Sequence, residues 1–310
     1  MALSGQGAEA GERLLSAGEG ALPRSAGRYR WLRRNGTTAL LLAPLLIYMA
    51  TVFAVPMGFQ VAFAFFRREL YKEIVWMPVP AFQFGNFIEA FRNPTYRFSF
   101  FWTVGVALFT TAVSIALALP VAYFLARMKV WGRSLIELSF LLPIFGEIFT
   151  IYALAYALTP EGPVNWLLAK LGLITKPISF IGSPATVVLW MCLPTLSVLL
   201  IRSAFANVDI VYEEAAQTMG AGWFATFFRV SVPLAKKGIA GAFFLGVSGA
   251  VGAYTVPVVF AGPYNNWLAN RIQREISPYF NYPMASALGV LLTLVCCLML
   301  YLYLRTQEEE

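Results

Sequence analysis

Residues 211–233 read VYEEAAQTMGAGWFATFFRVSVP, and long apolar runs flank them on both sides. The stretch holds two adjacent acids, two close glycines and a run of large aromatics. It is too polar to span a bilayer and too apolar for an idle loop. Asp209 can cap a helix that begins at Ile210, with Glu213 and Glu214 near its positive end. Val211, Ala215, Thr218 and Met219 share one face by their i, i+4, i+7, i+8 spacing. Gly220 suits the left-handed residue that ends such a helix. A second short helix is predicted from about Trp223 to Val230, with Phe224, Phe227 and Phe228 on one face. Pro233 limits its continuation. Two readings follow. The helix pair packs on its own bundle and on lipid headgroups, or it presents an aromatic knob rimmed by charge to a cytosolic partner.

The flanking sequence decides what kind of chain carries this stretch. Of 310 residues, 59% are hydrophobic and only 13% are charged. Soluble domains hold about a quarter charged residues, so this is an integral membrane protein. The net charge of +7 fits Lys and Arg gathered in cytoplasmic loops, and no nucleic-acid-binding motif accompanies it. There is no histidine, and Cys192, Cys296 and Cys297 all lie in apolar runs. That excludes a Cys/His metal site, argues against a disulfide framework and removes the commonest general base.

Six spans of about 20 apolar residues are predicted, at roughly 37–66, 99–126, 135–158, 184–205, 238–261 and 284–304. The runs are continuous rather than alternating, so the fold class is an all-α membrane protein and not a barrel. Residues 1–36 form a disordered tail rich in Gly, Ala, Ser and Arg, and 306–310 a short C-terminal tail. A signal peptide competes for the N-terminus, but the first apolar run is too long for one. With the N-terminus inside, 14 of the 23 Lys and Arg residues fall on inner segments, led by Arg28, Arg30, Arg33 and Arg34. Both termini and the 206–236 loop are then cytoplasmic. Outside, 67–98 is an irregular loop with one short helix near Phe87–Phe91. Residues 162–173 form an amphipathic segment lying on the outer interface, anchored by Trp166.

The run EAAQTMGAGWFATFFRVSVP resembles the EAA motif of permease subunits in bacterial binding-protein-dependent ABC importers. That motif is Glu-Ala-Ala, three residues, Gly, nine residues, then Ile-x-Leu-Pro. Glu214, Ala215, Ala216, Gly220 and Pro233 stand in register, while Val230 and Val232 replace the usual Ile and Leu. Looser likenesses in LPVAYFLAR (119–127), GPVNWLLAKLGLI (162–174) and FAGPYNNWLANRI (260–272) point to the polyamine-type branch. The resemblance implies a type I importer permease fold with a cytoplasmic coupling helix, in the bacterial inner membrane. It assigns ATPase coupling to Glu213, Glu214, Ala215, Ala216, Gly220, Phe224, Phe227 and Pro233.

The partners it implies are a cytosolic ATP-binding subunit dimer, a second related permease subunit and an external solute-binding protein, with lipid around the spans. No G-x-x-x-x-G-K-[ST] occurs, so ATP and Mg belong to the partner ATPase and this chain binds no cofactor. It is a transporter subunit, not an enzyme. Its substrate is expected to be a small organic solute such as a polyamine. An opine, a phosphonate or ferric iron is the alternative within the branch. The alternative of another class is a stand-alone secondary transporter or channel, which predicts paired intramembrane charges and inverted repeats.

Within the spans, Glu147 is the one acid placed near the midplane, about 18 Å in at 1.5 Å per residue. There it is either a hydrogen-bonded structural acid or a substrate-path acid. Tyr152, Tyr156, Trp190 and Tyr254 are candidates for the same path, with packing or an interfacial belt as their other reading. Gly246, Gly249 and Gly252 read as a close helix-packing face.

Overall fold

The computed structural model describes residues 41–71, 75–127, 132–262 and 265–308. The tail expected over 1–36 lies outside them. The described residues fall into two units, those up to Phe59 and those from Gln60 onward.

In chain order, α1 (Leu41–Ala64) is a 24-residue apolar helix, with a π-helical turn at Ala50–Ala54. A two-stranded antiparallel hairpin follows, β1 (Arg67–Tyr71) and β2 (Val75–Val79), with Glu69 opposite Met77. Next come α2 (Gly85–Arg92) and α3 (Pro94–Arg127). The hairpin corrects the expected irregular loop. Pro78 is compatible with the hairpin, because a two-stranded ribbon is all edge and tolerates a residue without an N–H. The second span also begins earlier than 99. Asn93 accepts a hydrogen bond from the Thr95 amide at 3.0 Å, and Pro94 occupies the first helical position, where its missing N–H costs nothing.

The third expected span is two helices, α4 (Arg133–Phe145) and α5 (Glu147–Ala157), bent by 91° at Gly146. Gly146 leaves helical geometry with φ −124 and ψ 41. After the amphipathic α6 (Pro163–Lys170), the fourth span comprises α7 (Pro184–Met191) and α8 (Leu196–Ala206). Pro194 falls in the turn between them. The fifth expected span, 238–261, is also interrupted. It consists of α11 (Lys236–Val251) and α12 (Thr255–Ala261), separated by Gly252–Tyr254. Pro257 coincides with this gap, since it lacks the N–H that would bond Ala253 and its ring would crowd that carbonyl in a continuous helix. By contrast Pro120 lies inside the unbroken α3. Between α8 and α11 run α9 (Ile210–Thr218) and α10 (Trp223–Leu234), the latter bent 71° from α11. The chain closes with α13 (Leu268–Ile276) and α14 (Tyr282–Glu308). α14 takes in most of the tail expected over 306–310.

Among the described residues, four stretches are long and apolar enough to cross a membrane, namely α1, α3, α7 with α8, and α14, or up to six if the bent pairs α4–α5 and α10–α11 each count as one span. The regular secondary structure among the described residues is helical apart from the hairpin. The centre of the fold is α3, which buries a face of small and hydroxylated residues: Ser99, Thr103, Ala107, Thr110, Ser114, Ala118 and Ala122. Such residues let helix backbones approach closely. Ser114 and Ser197 hydroxyls meet at 3.0 Å between α3 and α8. A Cβ on Gly246 of α11 would meet the Thr111 methyl at 2.8 Å, whereas one on Gly249 meets nothing within 4 Å. Of the three glycines expected to form a packing face, only Gly246 would bring a Cβ against another helix.

At the other end of α3, Thr103 Oγ1 accepts from the Leu268 amide at 2.9 Å. Tyr96 donates to Glu275 at 2.8 Å, and Asn281 donates to the same carboxylate at 3.0 Å. These bonds fix α13 against the start of α3.

Candidate coupling site and translocation cleft

The loop 206–236 is built as a helix pair. Asp209 accepts a hydrogen bond from the Val211 amide at 3.1 Å and so caps α9. Gly220 has φ +90, a left-handed conformation that disfavours a side chain. Its amide bonds Gln217 O, and the Ala221 amide bonds Ala216 O, which closes the helix end. α10 then runs past the expected end at Val230 to Leu234. It does so through a π-helical turn at Phe227–Ser231, in which the Val232 amide bonds Phe227 O. A wider turn accommodates Pro233 without a break at that point.

The two faces of this pair differ. Val211, Tyr212, Glu214, Ala215, Met219, Gly220, Phe224, Phe228 and Pro233 are exposed, with Met219 at 83% and Phe224 at 71%. Glu213, Ala216, Thr226, Phe227 and Ser231 are buried. The candidate coupling residues therefore divide. Glu214, Ala215, Gly220, Phe224 and Pro233 face outward, while Glu213, Ala216 and Phe227 face the bundle. The expectation that Phe227 shares an exposed face with Phe224 and Phe228 is corrected. Phe227 opens the π turn and points inward. Its ring stacks on Trp223 at 5.6 Å and meets Tyr123 edge-on at 5.0 Å.

Glu213 is 3% exposed, and both its oxygens are bonded. Oε2 accepts from Tyr123 Oη at 2.9 Å. Oε1 accepts from Arg127 Nε at 3.0 Å, Arg127 Nη2 at 2.8 Å and Ser231 Oγ at 2.9 Å. Arg127 Nη2 also donates to Val208 O at 2.8 Å. The charges cancel and every carboxylate oxygen is satisfied, the condition under which a buried ion pair is tolerated. The sequence pattern contained a signal for this group. Tyr123 and Arg127 are four apart at the end of an apolar helix, so they share a face aimed at the loop.

A second feature is a cleft of about 230 Å³. It is lined by Thr111 and Ser114 of α3, Trp190, Thr195 and Ser197 around the break in the fourth span, and Gly246, Gly249 and Ala253 beside the break in the fifth. Interrupted membrane helices are tolerated where they line a cavity, and here two interruptions meet one. Of the candidate path residues, Trp190 lines this cleft and packs on Phe260 at 5.9 Å. Tyr254 lies in the adjoining break. Glu147, Tyr152 and Tyr156 are exposed and do not line it. Glu147 is the first residue of α5 and has no hydrogen-bond or ion-pair partner among the described residues.

Comparison with known proteins matches residues 111–308 to the family described as binding-protein-dependent transport system inner membrane component. The spermidine/putrescine transport system permease protein PotB of Escherichia coli (strain K12) is 29% identical over 220 residues, covering 70% of this chain and 80% of that protein. The molybdenum transport system permease protein ModB of Azotobacter vinelandii is 32% identical over 162 residues, 52% of this chain and 70% of its own. In structure, the chain resembles a subunit of a bacterial ABC transporter involved in the import of the acidic polysaccharide alginate. The TM-score is 0.65 at 17% identity, over 89% of this chain and 98% of that one.

Proposed function

Because the chain belongs to the family of binding-protein-dependent transport system inner membrane components, and so is the permease subunit of an ABC importer, we propose that the exposed face of α9 and α10 docks a cytosolic ATPase. The observation that carries this is the division of the loop. One face shows Tyr212, Glu214, Met219, Phe224 and Phe228 to solvent. The other is clamped to α3 by buried hydrogen bonds. An apolar surface with an acid beside it is suited to a partner groove, and a helix pair fixed behind it moves as a rigid body.

ATP and Mg bind that separate subunit. A second, related permease completes the path, and an external solute-binding protein delivers the cargo. Both termini are cytoplasmic. The substrate is a polyamine, a class supported by the relatives named for spermidine and putrescine. The cleft at the two helix breaks is the path through this chain. Its hydroxyls and the Trp190 ring accept an ammonium group weakly, as a path that must release its cargo requires.

The test is co-purification. The tagged chain, expressed with the whole importer, should bring down the ATPase subunit. Phe224→Asp combined with Phe228→Asp should abolish this while the chain stays in the membrane. Retention of the ATPase by that double variant would sink the docking face. Absence of ATP-dependent spermidine or putrescine uptake by the complete assembly would overturn the substrate.

A further inference from the structure

The Glu213 carboxylate joins three elements around the loop, α9, the end of α3 and the π turn of α10. It belongs to α9. Tyr123 and Arg127 bond it from the end of α3. Ser231 bonds it from the π turn of α10, 18 residues along the chain. Arg127 extends the group to Val208 O, just past α8. Around it the rings of Tyr123, Phe205 and Phe227 pack together. Ring packing alone resists separation but permits sliding. Short bonds to both carboxylate oxygens also fix direction.

Stability is a poor explanation for such a group. Buried ion pairs replaced by packed apolar residues are often no less stable, and their best-attested use is to hold one arrangement. The π turn points the same way. It is a rare geometry, frequent at functional sites, and Ser231 at its end reaches the carboxylate.

We propose that Glu213 is a positioning residue, the centre of a four-donor clamp that makes α9, the end of α3 and the π turn of α10 move as one body. A push on the outward face, where Glu214 lies, then reaches the membrane helices instead of being absorbed by deformation of the loop. This rests on the reading of that face as the ATPase dock.

The experiment uses the whole assembly in proteoliposomes: this chain, the second permease, the ATPase pair and the binding protein. Three quantities are read, namely ATPase co-purification, the melting temperature of the complex, and solute taken up per ATP hydrolysed. Glu213→Gln is isosteric and inward-facing. It should still co-purify the ATPase, while uptake per ATP falls by about tenfold, within the range for a coupling perturbation. A wild-type chain that fails to bring down the ATPase would mark failure of the docking reading instead. A clamp that only stabilises the fold would lower melting and yield yet leave uptake per ATP at the wild-type value, and that result overturns the proposal. If Glu213→Gln does not assemble, Tyr123→Phe and Ser231→Ala each remove one donor and keep the ion pair. Each should lower uptake per ATP roughly two- to fivefold. Wild-type uptake per ATP in both overturns the proposal equally.

Discussion

Glu213 and Glu214 are neighbours in sequence with opposite surroundings, because successive helical residues point about 100° apart. The first is bonded into the bundle, and the second is exposed. Their different fates separate two experiments. Glu214→Lys leaves every buried contact in place, so chain levels and melting should hold. Transport and substrate-stimulated ATP hydrolysis should fall by about tenfold or more, from the wrong charge at the dock. Normal coupled transport in this variant would remove Glu214 from the interface. Glu147 is a different case. The sequence places it deep in a continuous span, but the bend at Gly146 makes it the first residue of a helix. There the helix dipole favours a carboxylate by about 0.3–1 kcal/mol, which accounts for the acid without any ligand. Glu147 does not line the cleft proposed as the path. Glu147→Gln should therefore melt close to the wild type and keep polyamine uptake near the wild-type rate at unchanged ATPase binding. Uptake slowed several-fold at constant melting would put Glu147 on the path and move the path away from the cleft.

At the scale of elements, apolar runs and caps were legible and interruptions were not. Apolar runs of the right length announce membrane helices, and Asp209 and Gly220 announce the ends of α9, because these signals are local. Whether a proline breaks a span depends on what surrounds it. Pro120 is carried within α3, while Pro194 and Pro257 coincide with gaps that open on the cleft. Nothing in either run of residues distinguishes the cases. The clamp was half legible, since the Tyr123–Arg127 spacing was visible but its partner across the fold was not. Gly246 and Gly249 show the same limit and supply a paired prediction. They look alike in sequence, yet only Gly246 is pressed against α3. Gly246→Leu should destabilise the chain by about 1–3 kcal/mol through overpacking, seen as a lower melting temperature in detergent. Gly249→Ala meets no neighbour within 4 Å and should melt like the wild type. It also lines the cleft, so a change in uptake at constant melting would tie the cleft to the path. Equal melting of Gly246→Leu and Gly249→Ala would mean that α3 and α11 are not packed as described.

For the whole molecule, the direction in which the chain is threaded decides whether the proposed dock can reach a cytosolic ATPase. Arginines crowd the sequence before the first span, at Arg28, Arg30, Arg33 and Arg34, and such clusters stay on the inner side. On the proposed topology of six spans, the C-terminus and the loop 206–236 return to that side, and the segment after α6 falls on the outer side. Accessible cysteines test this in a background lacking Cys192, Cys296 and Cys297. The probe positions must be exposed in the folded chain, or failure to label would mean burial rather than sidedness. Thr226, inside the loop, is wholly buried and cannot serve. Phe224 is exposed on the dock face, and Ser179 is exposed beyond α6. In sealed cells a membrane-impermeant maleimide should label Ser179→Cys and spare Phe224→Cys. After permeabilisation, both should react in cells lacking the ATPase, and Phe224→Cys should be shielded again when the ATPase is restored. Labelling of Phe224→Cys from outside sealed cells would invert the topology and put the proposed dock beyond the reach of any cytosolic partner.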